Sequence, residues 1–310
     1  MAITRLKHFT SAKQVDRALA DDLFERTDQM RQKPLLYSEA LHGKTLVLEF
    51  YEPSTRTRHS FEAAITRLGG HYTSTENATA FSSSAKGESV EDTARVVSAY
   101  GDAIVVRSKE IGVADRMAAV SRVPVINAGD GTGQHPTQAL LDLYTIKKEV
   151  GRLENLTIAI VGDLAHGRTA RSLTYLLAKC GDVRTIFVSP PGFGIDEDLR
   201  EWLKRHGKEF SEETDLNSIL GIVDVVYITR VQKERMPPEE YEKARGKLIF
   251  TEESLALMQK HARVMHPLPK VDEIDIPIRV EQEDQRIAYF RQSENGVWVR
   301  MALLENMLRD

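Results

Sequence analysis

The sequence predicts an α/β protein of two doubly wound domains with mainly parallel sheets. Three observations carry that expectation. Apolar runs of strand length alternate with segments of helical spacing, and the alternation restarts near residue 157. The polar clusters that interrupt it fall just after the apolar runs, and open parallel sheets bind ligands beyond the carboxyl ends of their strands. At 310 residues the chain is also near the length at which one core divides into two.

In order along the chain, Thr45 to Phe50 reads as a strand. Ser54 to Leu68 reads as a helix with Phe61, Ile65 and Leu68 on one face and Gly69-Gly70 as its stop. Residues 103–106 form an apolar strand ending at Arg107. Val123 to Ala128 is another, running into the loop "GDGTGQHP" and then a helix from about Thr137 to Val150. The second half opens with the strand "TIAIVGD", followed by a helix from about Arg168. "RTIFVSP", "DVVYITR" and "ARVMHPLP" are further strands, and "NGVWVRMALLENML" is a final helix expected to pack back on the first domain.

Composition narrows the class. The chain is 41% hydrophobic and 28% charged with a formal net charge of −4, so neither nucleic acid nor an anionic membrane is an expected partner. No apolar run is long enough for a membrane span and no secretory leader is evident. A cytoplasmic protein is the default, with a trimmed, organelle-targeted form left open. The single cysteine, Cys180, lies among Leu173, Leu176 and Leu177 and is expected to be a buried, inert thiol. A disulfide within the chain and a cysteine-based zinc site are excluded, and the nine scattered histidines show no metal-binding spacing. "GKT" at 43–45 precedes a strand and lacks the upstream glycine of a phosphate-binding loop, and "GDGTG" has Gln134 where dinucleotide spacing needs glycine.

What remains are clusters of donors. Ser54, Thr55, Arg56 and Thr57 stand at the start of a helix, where unpaired N–H groups and the helix dipole favour an anion, most simply a phosphate. Ser54 is expected to cap that helix. The simpler alternative is a cap followed by solvated arginines. His135 and Gln138 stand where a glycine-rich loop meets the next helix; His135 is read either as a structural histidine or as one placed to hydrogen-bond a carbonyl oxygen gaining charge. Arg168 and Arg230 follow different strands of the second half and suit carboxylates, although either alone could be a surface ion pair. The polar loop "SSSAKGES", with Ser82, Lys86 and Gly87, reads by itself as a mobile surface loop.

Taken together, "FYEPSTRTRHSFE", "SSSAKGES", "DAIVVR", "NAGDGTGQHPTQALLDLYTI", "VGDLAHGRTARSL", "TRVQKER" and "HPLPKVDEI" resemble the aspartate/ornithine carbamoyltransferase family over nearly the whole chain. "TRVQKER" and "HPLP" point to its aspartate branch. The resemblance implies transfer of a carbamoyl group from carbamoyl phosphate to L-aspartate, giving N-carbamoyl-L-aspartate and phosphate in pyrimidine synthesis, with no cofactor and no metal. A paralogue with another amino-acid acceptor and a silent relative are the alternatives. It implies a carbamoyl phosphate-binding domain, residues 1–136 with 293–310, an aspartate-binding domain, residues 137–292, and an active site in the cleft between them. By resemblance, Ser54, Thr55, Arg56, Thr57 and Arg107 hold the phosphate. Thr57, Arg107 and His135 contact the carbamoyl oxygen, and Gln138 with the backbone carbonyls of Leu268 and Pro269 orients the amino group. Arg168, Arg230 and Gln232 hold aspartate. Ser82 and Lys86 reach a neighbour's site in a homotrimer, with Lys86 serving both substrates. A regulatory chain or larger assembly is left open. The loop from Gln232 to Pro238 is expected to move on aspartate binding, and Arg58 to support the turn instead of touching ligand. Two departures stand out: Lys270 where the family usually has arginine, and Ala165-His166 where many members carry Lys-Tyr or similar residues.

Overall fold

The structure, a computed structural model, describes residues 5–232 and 236–309. The chain divides into two compact units, residues 1–140 with 295–310, and residues 141–294.

The first unit opens with α1 (Arg17–Gln32), started by the Asp16 side chain, which accepts the Leu19 N–H at 2.9 Å. Then come β1 (Thr45–Phe50), α2 (Thr55–Arg67), β2 (His71–Glu76), α3 (Ala78–Phe81), α4 (Val90–Val97), β3 (Ala103–Ser108), α5 (Val113–Val120) and β4 (Val125–Asp130). The sheet order is β2-β1-β3-β4 and every pairing is parallel. β1, β3 and β4 are covered on both faces, which is why they read as continuous apolar runs. Phe61, Ile65 and Leu68 are fully buried.

α6 (Pro136–Val150) runs from the first unit into the second. There follow β5 (Leu156–Val161), α7 (Arg168–Cys180), β6 (Val183–Val188), α8 (Glu197–Arg205), β7 (Phe210–Glu213), β8 (Val225–Ile228), α9 (Pro238–Ala244), β9 (Phe250–Thr251), α10 (Glu252–Leu257), β10 (Arg263–Met265), β11 (Ile274–Asp275) and α11 (Ile278–Glu283). The main sheet is ordered β10-β8-β5-β6-β7, again all parallel, and β9 pairs with β11 beside it. Cys180 is buried at the end of α7. The chain returns through α12 (Tyr289–Leu308), whose later part belongs to the first unit. There Asn295 accepts from Arg31 at 2.9 Å, and the Arg300 guanidinium stacks over Phe61.

Several expected boundaries shift. α12 begins six residues before the expected "NGVWVRMALLENML". β10 ends at Met265 because Pro267 and Pro269 have no N–H for a ladder. β4 starts at Val125 and continues through Gly129-Asp130, where a register shift between Val106 and Ser108 lets Asp130 pair with Ser108. No helix among the described residues is long and apolar enough to cross a membrane.

Candidate active site

Both sheets reverse winding direction at one point. In the first unit that point lies between β1 and β3, whose carboxyl ends lead to Glu52–Thr57 and to Arg107. Phe50 and Arg107 are register partners, and the Arg107 Nε lies 3.3 Å from the Glu52 carboxylate. A second guanidinium nitrogen donates to the Ala128 carbonyl at 3.3 Å. Arg107 is thus fixed on two sides, by strand ends on either side of its own.

Ser54 occupies the N-cap position of α2 with extended backbone, yet its side chain makes no capping hydrogen bond. This corrects the expected cap. The first N–H groups of α2 are not satisfied by that side chain, which keeps the helix start suited to an anion. Thr55 and Arg56 are exposed in the first turn and Thr57 is buried. Thr57 Oγ1 lies 3.5 Å from His135 Nε2, although 78 positions separate them in the chain. The other ring nitrogen of His135 is 3.5 Å from the Thr137 hydroxyl, and His135 itself is 4% exposed. The glycine-rich loop before it is shaped by Asp130, whose carboxylate accepts the Gln134 N–H at 2.6 Å and the Gly112 N–H at 3.0 Å. Gln138 follows in the first turn of α6, partly buried. Arg58 pairs with Glu62 and Glu76, each at 3.1 Å, and so braces the turn.

Lys86 ends a short 3-10 turn, Ser83–Lys86, that Ser82 caps by accepting the Ser84 N–H at 3.1 Å. Half of the stretch read in isolation as a loop, Ser83–Lys86, is therefore a 3-10 turn, and Lys86 is exposed on it.

In the second unit the reversal lies between β5 and β8. Gly162, with φ +123°, passes so close to β8 that a Cβ there would lie 2.1 Å from the Thr229 carbonyl oxygen. The tight pass delivers Asp163 into the interior, fully buried. Asp163 Oδ1 accepts the His166 N–H and faces the His166 ring, both at 3.0 Å, while Oδ2 accepts the Gln232 N–H at 3.2 Å. The Gln232 side chain donates to the Arg230 carbonyl at 3.2 Å. Arg168, at the start of α7, is buried, and its N–H donates to the His166 carbonyl at 3.1 Å. Asp163 thus gathers the two ends that carry Arg168, Arg230 and Gln232. Sequence reasoning missed it, as it missed Glu52; both are acids two residues past a strand end. The His166 departure is not remote, because His166 shares Asp163 with Gln232. Of the expected mobile loop, residues 233–235 lie outside the described residues.

After β10 the chain turns through Leu268, whose φ of +57° costs a non-glycine residue roughly 1–2 kcal/mol, into a cis Leu268–Pro269 bond. Lys270 forms a single-pronged ion pair with Glu281 at 2.6 Å, so the substitution there keeps an ion pair.

Fold and site together define a two-unit α/β protein with a cluster of hydroxyl and guanidinium donors at one switch point and a guanidinium-bearing cluster at the other. Family models match both halves: the aspartate/ornithine carbamoyltransferase carbamoyl-P binding domain over residues 7–148, and the Asp/Orn binding domain over residues 154–307. Aspartate carbamoyltransferase 1, chloroplastic, of Pisum sativum is 50% identical over 308 residues, 98% of this chain and 79% of the relative. The aspartate carbamoyltransferase catalytic subunit of Methanothrix thermoacetophila is 47% identical over 98% of this chain and 99% of its own. Among solved structures, aspartate transcarbamoylase of Trypanosoma cruzi in complex with carbamoyl phosphate and aspartate superposes with a TM-score of 0.91 at 34% identity, covering 97% of each chain. The catalytic subunit of M. jannaschii aspartate transcarbamoylase gives 0.87 at 44%, with the same coverage. The chain belongs to the aspartate/ornithine carbamoyltransferase family.

Proposed function

We infer that the chain transfers the carbamoyl group of carbamoyl phosphate to the amine of L-aspartate, the activity of an aspartate carbamoyltransferase. The observation that carries this reading is the meeting of Thr57 and His135 at the start of α2, where a helix N-terminus supplies the N–H groups a phosphate needs. In the proposed reaction the neutral amine of aspartate attacks the carbamoyl carbon. The carbonyl oxygen gains charge, which Thr57, Arg107 and His135 stabilise. The carbon–oxygen bond to phosphate then breaks, and the departing phosphate takes a proton from the new nitrogen. Ser54, Thr55 and Arg56 grip that phosphate, with Arg107 and Lys86 offsetting its charge. Gln138 and the Leu268 and Pro269 carbonyls hold the carbamoyl amino group. Arg168, Arg230 and Gln232 hold the aspartate carboxylates, and Ser82 and Lys86 act in a neighbouring subunit's site.

We propose a homotrimer as the working form. Supporting this, the edge strand β2 carries exposed Tyr72, and nearby Phe81, Val96 and Tyr100 are also exposed, in the same stretch as Lys86. We place the reaction in pyrimidine synthesis and the protein in the cytoplasm, in keeping with a lone buried thiol. Several plant relatives carry chloroplastic names, so cell fractionation decides the compartment. The activity test is direct: carbamoyl phosphate and L-aspartate together should yield phosphate and N-carbamoyl-L-aspartate without added metal. Turnover with another amino acid but none with aspartate would overturn the reading.

A further inference from the structure

We propose that His266, held by Gln292 and Asp142, is a positioning residue that sets the Leu268–Pro269 turn for discrimination of the carbamoyl amino group. The proposal rests on the carbamoyl phosphate reading above. It is built from a chain of buried hydrogen bonds within the second unit. Tyr227 donates to Asp142 Oδ2 at 2.7 Å, and Gln292 Nε2 donates to Asp142 Oδ1 at 2.6 Å. With its amide nitrogen committed to a carboxylate, Gln292 presents its oxygen to the His266 backbone N–H at 2.8 Å. His266 Nδ1 in turn accepts the Leu268 N–H at 2.7 Å. The ring proton therefore sits on Nε2, which lies 2.8 Å from the Glu273 carboxylate without the alignment of a hydrogen bond. His266 is 1% exposed, as is Gln292, and Asp142 is fully buried.

From Tyr227 to the Leu268 N–H each step pairs a donor with an acceptor, which fixes the orientation of the Gln292 amide and of the His266 ring. The chain ends on the backbone of the turn. It consumes the N–H of Leu268 and holds that residue at φ +57°. Among the described residues none donates a hydrogen bond to the Leu268 or Pro269 carbonyl. The relay thus satisfies the donors of this turn from inside and leaves its carbonyls to face an N–H2 group. A ligand with methyl in place of that amino group would strand them.

The test compares binding of carbamoyl phosphate and acetyl phosphate, which differ in that one group. Isothermal titration without an acceptor amine gives both dissociation constants, with inorganic phosphate as the control for the anion site. His266→Gln places its amide at the Nε2 end and loses the acceptor for Leu268, whereas His266→Asn keeps an oxygen where Nδ1 was. The expected result is that His266→Gln lowers the preference for carbamoyl over acetyl phosphate by about tenfold. His266→Asn should recover most of that preference, and phosphate affinity should be unchanged in both. Should His266→Gln not fold, Gln292→Leu, which removes the oxygen on the His266 N–H, carries the same comparison. An unchanged preference in His266→Gln, or an equal fall in both His266 variants, would overturn the proposal. A wild-type chain that discriminates but gives no product with aspartate would instead count against the acceptor assignment and leave the relay standing.

Discussion

His135 and Thr57 come from different elements, and neither residue type is diagnostic alone. Their roles are separable by kinetics. In the proposed site His135→Ala would remove a donor from the charged oxygen while the phosphate contacts stay, so kcat is expected to fall by about 10²–10³ with a smaller change in KM for carbamoyl phosphate. Steady-state kinetics with both substrates varied would show this, and an equal rise in KM with unchanged kcat would contradict it. The donors at 54–57 were legible because four polar side chains crowd one predicted strand-to-helix turn. Glu52 and Asp163 were not, because an acid after a strand is common until its partners are known. Glu49 is the clearest case of a residue whose state only packing sets. It is 7% exposed in β1, and burial, with the Glu88 carboxylate adding to it, pushes its carboxyl up to about 7. In the unfolded chain it ionises near its ordinary value of 4.5. Between those two values the unfolded state sheds its proton while the folded state keeps it, so this group lowers stability as pH rises and the loss is complete above about 7. Glu49→Gln should therefore stabilise the protein at pH 8 by up to about 3 kcal/mol and have little effect at pH 4. Denaturant unfolding at the two pH values checks the sign.

Strand ends decide where chemistry sits. Each sheet reverses once, and among the residues flanking the reversals, Ser54–Thr57 with Arg107 and Arg168 with Arg230 are those the sequence had marked as candidate anion contacts. The close pass of Gly162 against Thr229 is the tightest constraint on the second cluster. Gly162→Ala would put a Cβ 2.1 Å from a backbone oxygen that cannot give way, at a φ foreign to alanine. A loss of more than about 3 kcal/mol is expected. Gly43→Ala is the control. It also has positive φ, at +77°, but meets nothing within 4 Å, so it should cost only about 1–2 kcal/mol. Equal unfolding midpoints for the two variants would refute the steric argument. The apolar alternation showed the strands themselves, but their ends moved: β10 is three residues long because prolines end it, and β4 runs on through two residues that read as loop.

For the whole molecule the open matter is whether one chain completes a site. The proposed trimer contact rests on the exposed Lys86 turn and on exposed Phe81, which ends the helix just before it. Lys86→Ala and Arg56→Ala chains, each inactive alone, are expected to regain partial activity when mixed and reassembled, since some sites in a mixed trimer would receive neither change. No recovery in mixed trimers verified by native mass would argue against shared sites. By itself, the sequence determined the α/β class, the restart of the pattern near residue 157 and the polar clusters at strand ends. These follow from the spacing of apolar side chains, and spacing is local. Tertiary structure alone decided that Thr57 meets His135, that Asp163 joins His166 to Gln232, and that a relay from Asp142 ends on the Leu268 turn. Those pairings close loops of tens of residues, and nothing in a local pattern states which distant partner a buried polar group will find. The physical requirement that it find one is what makes each pairing specific.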